Sequence, residues 1–168
     1  MSARVGVGYD SHRLVPDRPL ILGGVEVPCE LGLSGHSDAD VLAHAITDAI
    51  LGAAGAGDIG AHFPPTDERW LDADSIELLG EVLAKLGGRV VNVDATVICE
   101  APPIAPHRAA IEQRLSEAVG AQVSLKATTN EGLGAIGRGE GIAAIAVALY
   151  EPDDGARPGT PPLPSSDE

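Results

Sequence analysis

The chain has 168 residues, 44% of them apolar, which is enough for one domain with a sizeable core. Its net charge of −14 excludes a nucleic-acid partner, because binding to nucleic acid needs a basic face. No apolar run reaches the roughly 18 residues of a membrane span, and the first residues lack a signal-peptide core. We therefore expect a cytoplasmic protein with no membrane partner, in which Cys29 and Cys99 are free and buried.

The first part of the chain predicts three strands. Arg4–Tyr9 is the first of them. Leu20–Leu22 and Val25–Pro28 follow as a hairpin, because Gly23-Gly24 between them supplies the residues that a tight turn needs.

A helix is predicted next, from Ser37 to about Ala54. The Ser37 hydroxyl is expected to cap the helix, with Asp40 three residues later as an acidic variant of the capping box. Gly55 or Gly57 ends the helix. One face carries an apolar stripe at helical spacing: Val41, Leu42, Ala45, Ile46, Ala49 and Ile50.

The rest of the chain predicts a long functional loop over 55–72, then two helices and three strands. The helices are Ser75–Leu86, between Asp74 as N-cap and Gly87 as C-cap, and Pro106–Val119, ended by Gly120; the strands are Arg89–Ile98, Val123–Thr128 and Gly141–Tyr150. Residues 151–168 are rich in proline and acidic residues, a composition typical of disorder. The sequence therefore predicts a catalytic domain over 1–150 and a disordered tail over 151–168.

Three residues form a candidate metal site. Asp10 and His12 share one face of an extended segment, because positions i and i+2 point the same way. Alternatively, this pair is a turn with a surface histidine. On the helix, Asp40, His44 and Asp48 form a polar stripe opposite the apolar one, which indicates a water-filled cleft, although His44 alone also fits a hydrogen-bonded interior histidine. Two histidines and one carboxylate, from Asp10, His12 and His44, suit zinc with an open fourth position.

Other segments carry further candidates. The glycine and His36 in 34–40 precede a helix and suit an anion, although His36 also fits an exposed loop position. The loop 58–67 suits hydroxyl groups or is merely an ordered crossing. Thr128, Thr129 and Glu131 suit phosphate and a cation. The glycines of 132–137 match a dinucleotide-binding spacing, but we reject that interpretation because no strand–helix–strand unit follows them, and expect tight turns and close backbone packing instead.

Taken together, these segments resemble the methylerythritol cyclodiphosphate synthase family over about residues 4–150. Six motifs and the single residue His44 agree with that family in identity and order: GYDSHR at 8–13, SGHSDAD at 34–40, His44, DIGAHFP at 58–64, Pro106-His107, KATTNE at 126–131 and GRGEGIA at 137–143. The chain departs from the family pattern at Pro103 and Gly132, where lysine is common, and at Ala135, where an aromatic residue is common.

The resemblance implies an α+β fold in a single domain, with a mixed sheet covered by helices on one face, assembling as a homotrimer with active sites between subunits. It implies zinc at Asp10, His12 and His44, and a second cation, magnesium or manganese, at Glu131 with the diphosphate. His36 and Thr129 match catalytic positions. The implied substrate-binding residues are Asp10, His12, His36, Ser37, Asp58, Ile59, Gly60, Phe63, Asp67, Ala101, Pro102, Ala105, Thr128, Thr129, Glu131 and Arg138.

The implied reaction is the attack of a substrate phosphate on its own diphosphate, which releases CMP and closes a ring in isoprenoid precursor biosynthesis. The substrate would be 4-diphosphocytidyl-2-C-methyl-D-erythritol 2-phosphate. Two alternatives remain from the residues alone. One is a zinc hydrolase, such as a phosphodiesterase, that activates water at the same three ligands, and the other is a non-catalytic trimer with a structural metal.

Overall fold

The computed structural model of the protein describes residues 2–153. The strands are β1 (Arg4–Pro16), β2 (Leu20–Leu22), β3 (Val25–Val27), β4 (Leu31–Leu33), β5 (Gly88–Ile98), β6 (Gln122–Thr128) and β7 (Gly141–Pro152). The α-helices are α1 (Val41–Ala54), α2 (Ile59–His62), α3 (Ser75–Lys85), α4 (Arg108–Val119) and α5 (Gly134–Gly137), and short 3₁₀ turns occupy Glu68–Trp70 and Ala105–His107.

Five strands form one mixed sheet in the order β4-β1-β7-β5-β6. The pair β5–β6 is parallel and the other neighbours are antiparallel, while β2 and β3 form the separate predicted hairpin. The core lies between the sheet and its helices, and it is built from aliphatic side chains of α1, α3, α4 and alternate strand positions. The predicted α+β domain with a mixed sheet covered on one face is confirmed.

Glycine and alanine bring β1 and α1 into direct backbone contact. Gly6 and Gly8 face inward on β1, and a Cβ atom built on either would lie 1.9 Å from a carbonyl oxygen of α1, that of Ala49 or Ala45 respectively. Only glycine fits such an approach. The same face of β1 continues to Asp10 and His12, so the close packing of the glycines fixes where these two side chains meet α1.

The predicted start of α1 at Ser37 is wrong. The helix begins at Val41, and its N-cap is Asp40, whose side chain accepts hydrogen bonds from the backbone N–H groups of Leu42 and Ala43. The chain cannot be helical at Ala39, which has a positive φ of 57°. Gly55 ends the helix in the left-handed conformation, as predicted.

Several other boundaries differ from the predictions. β1 continues to Pro16 because its second half pairs with β7 and β4. β7 continues to Pro152, two residues into the predicted tail, because its end pairs with Gly88–Arg89 of β5. Leu86, in extended conformation, ends α3 in place of Gly87. The loop 55–72 contains α2 and a 3₁₀ turn, and β4 and α5 were not predicted. The rest of the predicted tail, 154–168, lies outside the described residues.

The face of the sheet opposite the helices is apolar and open. Its side chains are 40–68% exposed in the single chain: Val5, Val7, Tyr9, Ile145 and Val147. Among residues 2–153, no helix combines the length and apolar character needed to cross a membrane. Both cysteines are free as predicted; Cys99 is buried, but Cys29 is exposed because it follows the hairpin into a surface segment.

Candidate active site

Asp10, His12 and His44 converge on one point between β1 and α1. The Asp10 Oδ2 atom lies 2.8 Å from His12 Nε2 and 3.0 Å from His44 Nδ1, and these two nitrogens are 3.2 Å apart. Asp10 and His12 stand two positions apart on the inward face of β1, as their spacing predicts, and His44 projects from the first turns of α1. Within residues 2–153 this is the one group of histidine, cysteine and carboxylate side chains arranged to hold a metal ion.

The donor set fits a zinc ion. Tetrahedral coordination at about 2.0–2.1 Å separates donor atoms by roughly 3.3 Å, so the three side chains need to open by only a few tenths of an ångström. Each histidine also has a hydrogen bond on its other nitrogen: His12 Nδ1 lies 2.8 Å from the Ser34 carbonyl oxygen, and His44 Nε2 lies 2.9 Å from Ser75 Oγ. Such outer contacts orient a ligating imidazole and fix its tautomer.

Charge within this cluster is strongly coupled. Burial by itself would raise the pKa of Asp10, but hydrogen bonds and the charges of His12 and His44 outweigh it and hold that pKa well below its usual range. Burial would likewise lower the pKa of His12, yet its contact with the Asp10 carboxylate raises it. The Asp10 carboxylate therefore favours positive charge beside it, and a metal ion bound by the three side chains would supply such a charge in competition with protons.

The predicted polar stripe of α1 does not form a water-filled cleft along its length. Asp40 is fully buried, and its carboxylate accepts hydrogen bonds from the N–H groups of Gly23 and Gly24 in the β2–β3 turn as well as from the first turn of α1. Burial raises the pKa of Asp40, and these N–H groups offset part of the rise. Asp48 is partly buried and accepts a 2.7 Å hydrogen bond from Ile59 N. Only His44 of the three joins the metal cluster.

A pocket opens beside the metal cluster. Residues predicted to bind substrate line it together with His12 and His44: His36, Ser37, Ile59, Gly60 and Phe63. Pro65, from the predicted loop 58–67, completes the wall together with Trp70 and Leu78, which were not predicted. The Trp70 ring packs edge-on against Phe63 at 4.9 Å between centroids, and its buried indole N–H has no hydrogen-bond partner among residues 2–153. Asp58 and Asp67, which were also predicted, do not line this pocket; Asp58 caps α2, and Asp67 caps the 3₁₀ turn Glu68–Trp70.

The segment that carries His36 is held from both sides. The Arg18 guanidinium donates to the carbonyl oxygens of Gly35 and Ser37 at 3.1 and 2.7 Å. The His36 carbonyl accepts a 2.8 Å hydrogen bond from Asp72 N. The predicted exposed-loop alternative for His36 therefore fails, since the residue is half-buried in a braced segment that borders the pocket.

A second pocket lies between β5, β6 and the start of α4. Four predicted substrate-binding residues line it, namely Pro102, Ala105, Thr128 and Thr129, together with Cys99, Glu100, Pro103, Ile104, Arg108 and Ala127. Ala101 precedes Pro102 across a cis peptide bond. Glu131 follows with a positive φ of 52°, and Glu131 Oε1 lies 3.5 Å from Thr129 Oγ1. Burial raises the pKa of the Cys99 thiol to about 11.

The two pockets share no lining residue within one chain. Thr129 lines the second pocket only, Glu131 lines neither of the two, and neither residue belongs to the metal cluster. Arg138, the remaining predicted residue, pairs with Glu140 Oε1 at 2.6 Å at the turn before β7. A Cβ atom on Gly137 would lie 2.2 Å from the Gly132 carbonyl carbon, whereas Gly132 and Gly134 have positive φ and open space around them. These glycines therefore serve close packing and tight turns as predicted, and the helix that includes Gly134 and Gly137, α5, has only four residues.

Comparisons with known proteins agree with this geometry. The family model described as the YgbB family matches residues 3–151. A curated 2-C-methyl-D-erythritol 2,4-cyclodiphosphate synthase from Symbiobacterium thermophilum is 58% identical over 151 residues, which cover 86% of this chain and 96% of the relative. Another from Geobacillus kaustophilus is 58% identical over 154 residues, covering 88% and 98%.

Solved structures with the same fold include two complexes. A 2C-methyl-D-erythritol-2,4-cyclodiphosphate synthase with bound CDP superposes with a TM-score of 0.79 at 37% identity, covering 88% of this chain and all of that one. The IspF–CDP complex from Plasmodium falciparum gives a TM-score of 0.78 at 33% identity, with coverages of 90% and 97%. The bifunctional IspDF from Campylobacter jejuni gives 0.86 at 38% identity, covering 90% of this chain and 43% of that protein.

Proposed function

The chain belongs to the YgbB family and has the activity of a 2-C-methyl-D-erythritol 2,4-cyclodiphosphate synthase in isoprenoid biosynthesis, and we propose how its residues carry out that reaction. The substrate is 4-diphosphocytidyl-2-C-methyl-D-erythritol 2-phosphate. An oxygen of the 2-phosphate bonds to the β-phosphorus, the bond from that phosphorus to the α-phosphate oxygen breaks, and CMP leaves. No water is consumed, which makes the enzyme a phosphorus–oxygen lyase.

The convergence of Asp10, His12 and His44 beside the first pocket is the observation that carries this proposal. Zinc bound there would withdraw charge from the phosphate oxygens that meet as the ring closes. His36 and Ser37 border the same pocket and would hold the 2-phosphate, while Asp58, Ile59, Gly60, Phe63 and Asp67 would hold the methylerythritol chain. The two pockets together would orient both ends of one substrate molecule, an effect that can supply up to roughly 7–11 kcal/mol of the barrier.

The second pocket suits the cytidine diphosphate part of the substrate. Backbone groups of 99–106 would contact the base, and the hydroxyl groups of Thr128 and Thr129 would contact the diphosphate. Glu131 would hold a second divalent cation, magnesium or manganese, with the diphosphate oxygens. Arg138 lies just before the start of β7, where it is paired with Glu140. Its positive charge would help to offset the repulsion between a substrate polyphosphate and a chain whose net charge is −14.

We propose that the chain acts as a homotrimer with each active site at a subunit boundary. The two pockets share no residue within one chain, yet one substrate must reach both. The open sheet face is apolar along Val5, Val7, Tyr9, Ile145 and Val147, a composition typical of a subunit contact. Packing of this face against neighbouring copies would bury it and bring the second pocket of one copy to the metal cluster of the next.

Labelled water separates cyclisation from the hydrolase alternative. The reaction is run in ¹⁸O-enriched water, and the products are weighed by mass spectrometry. Cyclisation leaves both CMP and the cyclic diphosphate unlabelled, because no water enters. A phosphodiesterase inserts one ¹⁸O atom per turnover, and that label would refute the cyclase mechanism. No turnover by a protein saturated with zinc would favour the non-catalytic alternative.

Substitution of the metal ligands tests the assignment of zinc. Asp10→Ala, His12→Ala and His44→Ala should each lose bound zinc and activity, because three protein ligands leave no redundancy. Metal content is measured on the purified, zinc-saturated variants after gel filtration. Asp48→Asn is the matched control, since Asp48 lies one turn beyond His44 on α1 and should leave zinc content unchanged. Full zinc occupancy in all three alanine variants would refute the assignment of these residues as metal ligands.

Mixing of two inactive variants tests the shared active site. His44→Ala and Thr129→Ala proteins are co-refolded, and sedimentation and mass analysis confirm that mixed trimers have formed. If the two residues serve one site from different chains, some boundaries in a mixed trimer have both residues intact and activity returns at the fraction set by random assortment. Confirmed mixed trimers without activity would place both residues in one chain's site.

A further inference from the structure

We infer that Asp38 and Ser75 act together as positioning residues that orient His44 for metal binding. His44 stands between two sets of contacts. Its Nδ1 atom faces Asp10 and His12, and its Nε2 atom lies 2.9 Å from Ser75 Oγ. The inference rests on the proposed metal site, and it concerns two residues to which the sequence patterns assigned no role at that site.

The proton positions follow from the Asp38 carboxylate. Asp38 Oδ1 accepts a hydrogen bond from Ser75 Oγ, and Asp38 Oδ2 accepts another from Ser75 N at 3.0 Å. Because the Ser75 hydroxyl donates its hydrogen bond to the Asp38 carboxylate, it can only accept a hydrogen bond from His44 Nε2. His44 Nε2 must then carry the proton that it donates to Ser75, which leaves the lone pair of Nδ1 directed at the metal cluster. Only this tautomer can ligate through Nδ1.

Ser75 serves this purpose better than its neighbour Ser37. Ser37 Oγ also lies near His44 Nε2, at 3.1 Å, but it accepts a hydrogen bond from Ala39 N and its residue borders the open pocket. Ser75 is 1% exposed, compared with 7% for Ser37. Of the two hydroxyl groups, only that of Ser75 donates a hydrogen bond to a carboxylate, the one of Asp38. The structure therefore assigns the orientation of His44 to Ser75 and leaves the Ser37 hydroxyl free for substrate.

The Ser75 hydroxyl does not cap α3, so its removal should not destabilise that helix. Asp74 caps that helix through a 2.7 Å hydrogen bond from Ile76 N. The Asp38 side is fixed by backbone contacts, because Asp38 N donates to the Ala73 carbonyl at 3.1 Å. Removal of the hydroxyl should therefore change the environment of His44 and leave the helix in place.

The effect should appear in metal affinity. Loss of an outer hydrogen bond to a ligating histidine typically costs 10–100-fold in affinity for the metal. We expect Ser75→Ala to raise the zinc dissociation constant by about that factor. Asp38→Asn keeps an oxygen for Ser75 N but turns its NH2 group, a donor, toward Ser75 Oγ, so the hydroxyl proton is free to be donated to His44 and the zinc dissociation constant should rise by a similar factor. Ser37→Ala should leave zinc affinity within about threefold of wild type and raise the KM for substrate instead.

The experiment measures zinc affinity on the full chain by competition with a chromophoric chelator, with cobalt(II) absorption as a second readout of ligand geometry. Asp10→Ala serves as the reference for a lost ligand. Weaker zinc binding and an altered cobalt spectrum in Ser75→Ala, but not in Ser37→Ala, support the inference. Wild-type affinity in Ser75→Ala, or equal losses in the two serine variants, overturns it and leaves the metal site standing. Equal affinities of wild type and Asp10→Ala would overturn the metal site itself, and this inference with it.

Discussion

Substitution of one glycine should disturb both the core and the metal site. A Cβ atom on Gly8 would lie 1.9 Å from the Ala45 carbonyl oxygen and 2.7 Å from Ala49 N, in the backbone of α1. Backbone atoms cannot rotate away as a side chain can. Since Cβ contacts under 3.0 Å essentially never occur, Gly8→Ala must drive β1 and α1 apart by about 1.1 Å.

That displacement is large by the standards of the site. His44 directly precedes Ala45 on α1, and Asp10 follows Gly8 by two residues on β1. Metal–ligand distances tolerate only about ±0.2 Å, so a shift five times larger should lower zinc affinity at least tenfold. Overpacking of a core costs typically 1–3 kcal/mol, and a clash between backbones should lie at or above the upper end. At about 2–4 °C per kcal/mol, the melting temperature should fall by roughly 6–12 °C.

The assay is thermal unfolding with and without zinc, combined with the chelator competition. Gly52→Ala is the matched control, because Gly52 lies in the same interface but its Cβ would meet nothing closer than 3.9 Å. Gly80→Ala in α3 has open space around it and should stabilise by about 0.5–1 kcal/mol. A Gly8→Ala protein that melts within 2 °C of wild type and keeps its zinc affinity would refute the close-packing argument.

Four further results are expected. Asp40→Ala removes the N-cap of α1 and leaves two N–H groups of the β2–β3 turn without their acceptor, so the free energy of unfolding measured in urea should fall by an amount on the order of 3–5 kcal/mol. A fall below about 1 kcal/mol would contradict the buried role of Asp40. Cys29 should react with a thiol reagent at pH 8 in the native protein, and Cys99 only after unfolding, since burial raises the pKa of Cys99 to about 11. Because the unfolded chain releases the Cys99 proton from about pH 8.5 and the folded chain later, stability should decline as the pH rises through that interval, and a Cys99→Ala variant should decline less. Truncation after Asp153 should leave kcat and the melting temperature unchanged, because the strand ladder ends at Pro152, and a large loss of either would show that 154–168 contributes to the domain.

The metal ligands could be predicted only in part from local patterns. The twofold alternation of a strand places Asp10 and His12 on one face, and helical spacing places His44 on the polar side of α1. Their meeting depends on the packing of β1 against α1, which local spacing does not give and which the family resemblance implied. Helical spacing also gave a wrong prediction for Asp40, which was expected to face a water-filled cleft and is a buried N-cap. A polar residue beside an apolar helix fits either role equally well. Ser37 was taken for the cap for a related reason: Ser37 and Asp40 are both good N-caps, and only the positive φ of Ala39 decides between them.

Residues that act across the fold gave no local signal. Arg18 reaches the segment around His36 from 17 and 19 residues away, and Ser75 reaches Asp38 and His44 across more than 30. Trp70 borders the pocket only because its 3₁₀ turn folds back on Phe63. Serine, arginine and tryptophan at such positions look like ordinary surface or core residues until the tertiary structure places them together.

Phosphorus NMR of the reaction products tests the central claim most directly. The zinc- and magnesium-saturated protein is incubated with 4-diphosphocytidyl-2-C-methyl-D-erythritol 2-phosphate. Ring closure predicts the singlet of CMP and two mutually coupled signals, because the former 2-phosphate and the β-phosphate then share one bridging oxygen. Hydrolysis would instead give CMP and two uncoupled monophosphate signals, and that result would contradict the account.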